Sequence, residues 1–75
     1  MNIKILGTGC KNCQTLEQNV RKALTQSGKE AEIEKVTDIQ EIMSYGVLST
    51  PGIVIDGEVR STGRVLSPAA IVKLF

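Results

Sequence analysis

The chain has 75 residues, of which 41% are hydrophobic, and a chain of this length buries only ~60–65% of its unfolded surface, in one small core. We therefore expect a single domain over residues 1–75. Nine basic and eight acidic residues give a net charge of +1, and the only aromatic residues are one phenylalanine and one tyrosine. A nucleic-acid partner is disfavoured, because the chain has neither a basic surface nor aromatic side chains on which bases could stack.

The apolar residues are scattered rather than gathered into a long run. The longest uninterrupted run, Ala69–Val72, is far shorter than the ~20 residues that cross a bilayer. Residues 1–6 lack the basic region and the long apolar stretch of a secretion signal. We therefore expect a cytoplasmic location and no membrane partner.

A buried strand and a long helix are predicted first. Ile3 and Ile5 lie on one face of a strand over residues 2–6 and Leu6 lies on the other, which is typical of a strand covered on both faces. A helix is predicted over about Lys11–Ser27, because apolar residues recur within it at i, i+4, i+7 and i+8.

The next segment combines a strand with a short helix. Alternation of glutamate with apolar residues predicts a strand of about Glu30–Val36. Thr37 and Asp38, each followed three residues later by Gln40 or Glu41, have the pattern of a capping box. Apolar residues then recur at i, i+3 and i+4, which predicts a short helix. Its apolar positions are Ile39, Ile42 and Met43.

A β-hairpin is the next predicted element. The β-branched run within Gly52–Asp56 and the segment Glu58–Ser61 flank the dipeptide Asp56-Gly57. This dipeptide between two strand-like runs is typical of a type I′ hairpin turn.

A final helix completes the predicted order. Ser67 is typical of an N-cap and Pro68 of a first helical position, and the apolar side comprises Ile71, Leu74 and Phe75. The order is therefore β-α-β-α-β-β-α. Strands joined by a helix should be parallel and hairpin strands antiparallel, so we expect an α/β fold with a four-stranded mixed sheet and three helices.

The motif Cys10-Lys11-Asn12-Cys13 holds the only two cysteines of the chain, which has no histidine. The composition excludes zinc fingers with mixed ligands and histidine-assisted nucleophilic catalysis. The motif opens a helix, where unpaired backbone N–H groups and the helix dipole favour a thiolate at Cys10. Cys13 lies three residues on, so it can close a disulfide with Cys10 while being more buried. The motif therefore predicts a reversible dithiol in which Cys10 is the nucleophile.

Three other interpretations of the cysteine pair stay open at this point. A stapling disulfide would close a four-residue ring, which contributes only about 2 kcal/mol and is lost in a reducing cytosol. The cysteines could also be unrelated small core residues. Finally, two thiolates at a helix start could hold Cu(I), as in heavy-metal metallochaperones. That family has the order β-α-β-β-α-β, however, and carries methionine where this chain has Thr8.

A Thr50-Pro51 dipeptide stands directly before the predicted hairpin. Proline cannot donate to a sheet ladder, so it belongs at the first residue of a strand or on an edge. An ordinary trans proline is the common case, since only ~5% of X–Pro bonds in folded proteins are cis.

A C-x-x-C after the first strand, a Thr-Pro before a strand, an Asp-Gly turn, and a glycine before a Ser-capped helix follow one another along the chain. This combination resembles the thioredoxin superfamily, and most of all the small redox-active disulfide proteins, which are glutaredoxin-sized thioredoxins of archaea and bacteria. The resemblance implies a thioredoxin-like sandwich that acts as a protein dithiol–disulfide oxidoreductase. It also implies that Pro51 is cis and faces the disulfide, that the Thr50 backbone pairs with a substrate chain, and that Lys11, Asn12 and Gly63 border the same groove.

The same resemblance implies the partners. Disulfide-containing proteins are the expected substrates, a thioredoxin-reductase-like flavoenzyme is the expected electron source, and neither a cofactor nor a metal is expected. Gly9 stands where thioredoxins proper carry tryptophan, and Lys11-Asn12 replaces their Gly-Pro. Residues 61–65 lack the Gly-Gly-x-x-Asp stretch with which glutaredoxins bind glutathione, so glutathione is not implied as the dedicated reductant.

Overall fold

The computed structural model describes residues 1–75 and contains four strands and three helices. In chain order these are β1 (Asn2–Leu6), α1 (Lys11–Ser27), β2 (Glu32–Val36), α2 (Ile39–Ser44), β3 (Gly52–Ile55), β4 (Glu58–Thr62) and α3 (Pro68–Val72). The predicted order is confirmed. Strand β2 begins later than predicted, because its ladder with β1 starts where Glu32 pairs with Asn2 and leaves Glu30 without a partner strand.

The sheet is mixed, as predicted, with the strand order β2-β1-β3-β4. Strand β1 is parallel to β2 and antiparallel to β3. The antiparallel pair β3 and β4 is joined by Asp56 and Gly57, whose φ angles of 50° and 82° are the left-handed values that a type I′ turn requires. Leu6 pairs with Gly52, so the segment that leaves β1 and the segment that enters β3 lie at the same end of the sheet.

Apolar side chains of the central strands pack on both faces of the sheet. The larger core lies on the face that carries α1 and α3, and it contains Ile3, Ile5, Leu16, Val20, Ala23, Ile53, Ile55 and Ile71. The smaller core lies on the face that carries α2, and it contains Leu6, Val36, Ile42, Val47 and Val54. Alternate residues of β1 therefore enter different cores, as the period of two in a strand requires.

Helix α2 is present as predicted, but its apolar side is only partly covered. Ile42 is 4% exposed, whereas Ile39 is 61% and Met43 is 58% exposed. The helix has only six residues and begins at an Asp38 cap, whose carboxylate accepts a hydrogen bond from the backbone N–H of Gln40 at 2.9 Å. A helix of fewer than two turns brings one apolar side chain onto the sheet and leaves the other two at the surface.

The last turn of the chain also differs from the prediction. Helix α3 ends at Val72, so only Ile71 of the predicted apolar side lies within it. Leu74 and Phe75 follow the helix and pack, half-buried, against the larger core. None of the three helices combines the length and the apolar character needed to cross a membrane.

Candidate active site

The two cysteines lie at the junction between β1 and α1 and are joined by a disulfide bond, with a Cα–Cα distance of 5.1 Å. Cys10 is the N-cap of α1, and its Sγ accepts a hydrogen bond from the backbone N–H of Cys13 at 3.3 Å. Cys10 is exposed, whereas Cys13 is only 6% exposed. The two sulfurs are therefore chemically different, although both belong to one helical turn.

This geometry favours negative charge on Cys10 Sγ. The first backbone N–H groups of a helix have no partner within the helix, and the helix dipole places partial positive charge at the same end. The N–H of Cys13 already points at Cys10 Sγ. A thiolate at an exposed helix N-terminus is the usual form of a reactive cysteine, and of the two sulfur-bearing residues only Cys10 is exposed there.

A cavity of about 80 Å³ lies beside Cys13. It is lined by Ile5, Gly7, Gly9, Cys13, Gln14, Glu17, Lys35 and Thr37. The Glu17 carboxylate binds Lys35 Nζ through Oε1 at 2.9 Å and Arg21 Nη2 through Oε2 at 2.9 Å. The hydrogen bond from Lys35 is the largest cause that lowers the pKa of Glu17 below its usual value, and Arg21 acts in the same direction against the opposing effect of burial. An ionised carboxylate is thus held near the buried sulfur.

The segment before β3 supplies the second part of the site. The Thr50–Pro51 peptide bond is cis, and Pro51 is buried. The backbone N–H of Gly63 donates to the Pro51 carbonyl oxygen at 2.8 Å. Gly63 has a φ of +69°, and a β-carbon placed on it would lie 3.1 Å from Ser49 Cβ. The structure therefore joins Pro51 and Gly63, which the sequence places twelve residues apart.

The backbone of Thr50 is free of partners within the chain. Thr50 is exposed, and neither its N–H nor its carbonyl oxygen makes an intramolecular hydrogen bond. Lys11 and Asn12 are also exposed, in the first turn of α1, and their backbone groups make no hydrogen bond to Thr50, Pro51 or Gly63. The predicted site residues thus form two groups, one at the start of α1 and one around Pro51.

Three exposed apolar side chains adjoin the site, and we call Ile39, Met43 and Leu48 the apolar rim. Leu48 is 91% exposed, the highest value among the large hydrophobic residues. The rim borders a cavity of about 270 Å³, whose lining comprises Thr8, Ile39, Ile42, Met43, Val47, Leu48 and Thr50. This lining includes Thr8, two residues before Cys10, and Thr50, which directly precedes Pro51, so the apolar rim lies beside residues next to both parts of the site.

Comparison with known proteins agrees with this geometry. A family model described as a thioredoxin domain matches residues 1–75, the whole chain. The chain belongs to the thioredoxin family. It is 45% identical over 75 residues to a thioredoxin of Methanothermobacter thermautotrophicus, an alignment that covers 100% of this chain and 97% of that protein. A thioredoxin of Methanocaldococcus jannaschii is 43% identical over 65 residues, which cover 87% of this chain and 74% of that protein.

Membership of the thioredoxin family decides between the interpretations of the cysteine pair. The chain is a thiol–disulfide oxidoreductase whose C-x-x-C motif alternates between dithiol and disulfide. The resemblance to small redox-active disulfide proteins is confirmed. The relatives are thioredoxins, so the comparison does not favour the Cu(I) alternative.

Two features of this thioredoxin-family site were missed by sequence reasoning. The first is the ion-pair cluster around Glu17. The spacing of Glu17 and Arg21 is a recognisable i, i+4 pair, but Lys35 comes from β2 and only the parallel β1–β2 pairing brings it close. The second is the apolar rim. The spacing of Ile39 and Met43 predicted the apolar side of a short helix and did not show that this helix would bury Ile42 alone.

Proposed function

We propose that Cys10 is the attacking thiol and Cys13 the resolving thiol of this oxidoreductase, acting on disulfide bonds of protein targets. The contrast in exposure between Cys10 and Cys13, together with the N–H group that points at Cys10 Sγ, carries this assignment. The accessible, N-capping sulfur can approach a second polypeptide. The buried sulfur can react only with a partner that is already attached to Cys10.

The cycle follows from these two roles. The Cys10 thiolate attacks one sulfur of the target disulfide, so that a mixed disulfide forms and the other target sulfur leaves as a thiolate. Cys13, as a thiolate, then attacks Cys10 Sγ and expels the second target sulfur. The target gains two electrons and takes up two protons in total, and the Cys10–Cys13 disulfide is the oxidised product.

The target chain would lie along the surface between Cys10 and Pro51. Thr50 offers an unpaired N–H and an unpaired carbonyl oxygen to an extended backbone, which is how a strand-like peptide gains affinity without sequence selectivity. In this proposal Lys11 and Asn12, exposed at the start of α1, and Gly63, whose N–H donates to the Pro51 carbonyl oxygen, would border the bound chain.

The proposal also includes the electron donor, the location of the protein and its domain organisation. Since the chain belongs to the thioredoxin family, we assign the return of two electrons to the Cys10–Cys13 disulfide to a thioredoxin-reductase-like flavoenzyme. The absence of the glutathione-binding stretch of glutaredoxins is consistent with this donor. The reaction takes place in the cytoplasm, where a reductase keeps dithiols reduced. Residues 1–75 act as one domain, since both cores share the single sheet.

Single cysteine variants test the two roles. With an insulin-like protein disulfide, Cys13→Ser should accumulate a stable mixed disulfide, because the resolving thiol is missing, and Cys10→Ser should trap almost nothing. Alkylation of the reduced protein near neutral pH should label Cys10 before Cys13, as read by mass spectrometry. Equal trapping by the two variants, or faster labelling of Cys13, would contradict the proposal. Tight Cu(I) binding by a protein without disulfide-exchange activity would restore the metal-binding alternative.

A further inference from the structure

Gly7 is buried at the end of β1, and its lack of a side chain is explained by space alone. Its backbone is not in the left-handed region that favours glycine. A β-carbon placed on Gly7 would instead fall on Cys13 Sγ and lie 3.0 Å from Cys13 Cβ. The sulfur of Cys13 therefore occupies the volume that any other residue at position 7 would need.

The two backbones that enclose this sulfur cannot easily move apart. The N–H of Gly7 donates to the Val36 carbonyl oxygen at 2.9 Å, which extends the β1–β2 ladder by one residue. On the other side, α1 is held to the larger core by Leu16 and Val20, both 0% exposed. A side chain at position 7 would thus displace the Cys13 sulfur rather than the sheet or the helix.

We infer that Gly7 is a positioning residue for the resolving step: it leaves Cys13 Sγ the one position from which it can bond to Cys10. The inference rests on the proposed role of Cys13. In that step the Cys13 thiolate attacks Cys10 Sγ, the bond between Cys10 and the target breaks, and the target sulfur leaves with the electron pair and takes up a proton. Displacement of Cys13 Sγ lengthens the approach to Cys10 and leaves the first attack by Cys10 untouched.

The variant Gly7→Ala separates the two steps. Alkylation of Cys10 and the rate of mixed-disulfide formation should stay within about twofold of the parent protein, because the substitution leaves Cys10 and the backbone N–H of Cys13 that points at its Sγ in place. Release of the target from the mixed disulfide should slow by roughly tenfold or more, the scale on which an extra methyl group disturbs a packed site. Equilibration with a thiol buffer should show the Cys10–Cys13 disulfide disfavoured by a similar factor, a readout that general loss of stability does not move.

Gly52→Ala is the matched control. Gly52 is also buried and pairs with Leu6, one residue from Gly7. A β-carbon there meets only ordinary contacts, at 3.4 Å from the Ser61 carbonyl oxygen and 3.5 Å from Leu6 Cδ1. This variant should release its target at the parent rate. If Gly7→Ala also did so, or if both variants slowed equally, the inference would be overturned.

A double variant keeps the inference testable if Gly7→Ala alone does not fold. Cys13→Ala removes the sulfur that the new methyl group would meet, so Gly7→Ala should destabilise the Cys13→Ala protein less than it destabilises the reduced parent, as measured by denaturant unfolding. Equal destabilisation in both backgrounds, or failure of both variants to fold, would contradict the steric argument. Failure of the proposed function has a different signature, since Cys13→Ser would then trap no target although Gly7 is unchanged.

Discussion

The two faces of the sheet differ in how completely helices cover them. The candidate site lies between the well-covered face, which carries α1, and the partly covered face, which carries α2. On the face of the larger core, α1 and α3 bury five residues of their own, and the long helix α1 contains Cys13 and has Cys10 as its N-cap. On the face of the smaller core, α2 buries a single residue of its own and leaves the apolar rim exposed.

From this difference we expect the covered face to support the site and the apolar rim to contact protein targets. Reaction between the two sulfurs needs fixed geometry, which the packing of α1 provides, whereas contact with varied protein targets needs accessible apolar area. The same sheet serves both purposes because alternate residues of its central strands face opposite sides. Substitutions on the covered face should therefore lower stability, whereas substitutions on the open face should lower the rate of reaction with protein substrates and leave stability unchanged.

The largest expected effect lies on the covered face. Leu16 is fully buried against the sheet one turn after Cys13, so Leu16→Ala should lower the free energy of unfolding by about 2–5 kcal/mol, the cost of a large-to-small change in a core. Denaturant unfolding of the reduced protein measures this loss. A cost below ~1 kcal/mol would show that α1 is not the rigid support inferred here.

A smaller effect, on activity and not on stability, is expected on the open face. Leu48→Ser should change the unfolding free energy by less than ~0.5 kcal/mol, while kcat/KM with a protein disulfide should fall roughly three- to tenfold, since one large apolar side chain loses part of its burial on contact. A small-molecule disulfide should react at the parent rate. Val59→Ser is a suitable control, because Val59 is an exposed apolar residue near the hairpin turn, away from Gly52. Equal losses for Leu48→Ser and Val59→Ser would argue against a target-facing rim.

The smallest expected effect concerns Glu17, which ties α1 to β2. Because Lys35 and Arg21 lower the pKa of Glu17 in the folded state, its contribution to stability is present at pH values above the usual value of 4.5 and is lost as pH falls through the lowered folded value. Glu17→Gln should therefore cost about 0.5–1 kcal/mol at neutral pH and should flatten the loss of stability on acidification. Glu34→Gln, which removes only a 3.9 Å ion pair with Lys4, should alter the dependence of stability on pH less than Glu17→Gln does. Parallel profiles for the parent and Glu17→Gln would contradict the assigned cause.

Most of the fold could be predicted because its signals are local. The period of two in β1 separates Ile3 and Ile5 from Leu6, and the Asp56-Gly57 dipeptide marks the hairpin; each depends on neighbouring residues alone. The start of β2 was predicted too early because a strand begins only where a partner strand is available. That partner is 30 residues away in the sequence and leaves no mark at Glu30.

The candidate site was predictable to a different extent in its two halves. The C-x-x-C at a helix start carries its chemistry within four residues, so Cys10 and Cys13 could be assigned from spacing and position. The environment of Cys13 could not, because Gly7 acquires its meaning only when α1 folds back beside the end of β1, and Lys35 only when β2 pairs with β1. Likewise, nothing around Leu48 in the sequence shows that this side chain remains 91% exposed.

The unequal exposure of the two cysteines also bears on oxidation by hydrogen peroxide. An exposed Cys10 thiolate is the sulfur that hydrogen peroxide would oxidise, to a sulfenic acid, while burial shields Cys13. The Cys13 thiol lies within bonding reach of Cys10, so it can condense with the sulfenic acid to form the disulfide and release water. Further oxidation to sulfinic acid, which is irreversible in most proteins, is then in competition with an intramolecular reaction. The disulfide is therefore a protected product of this oxidation, from which the next reduction restores the dithiol.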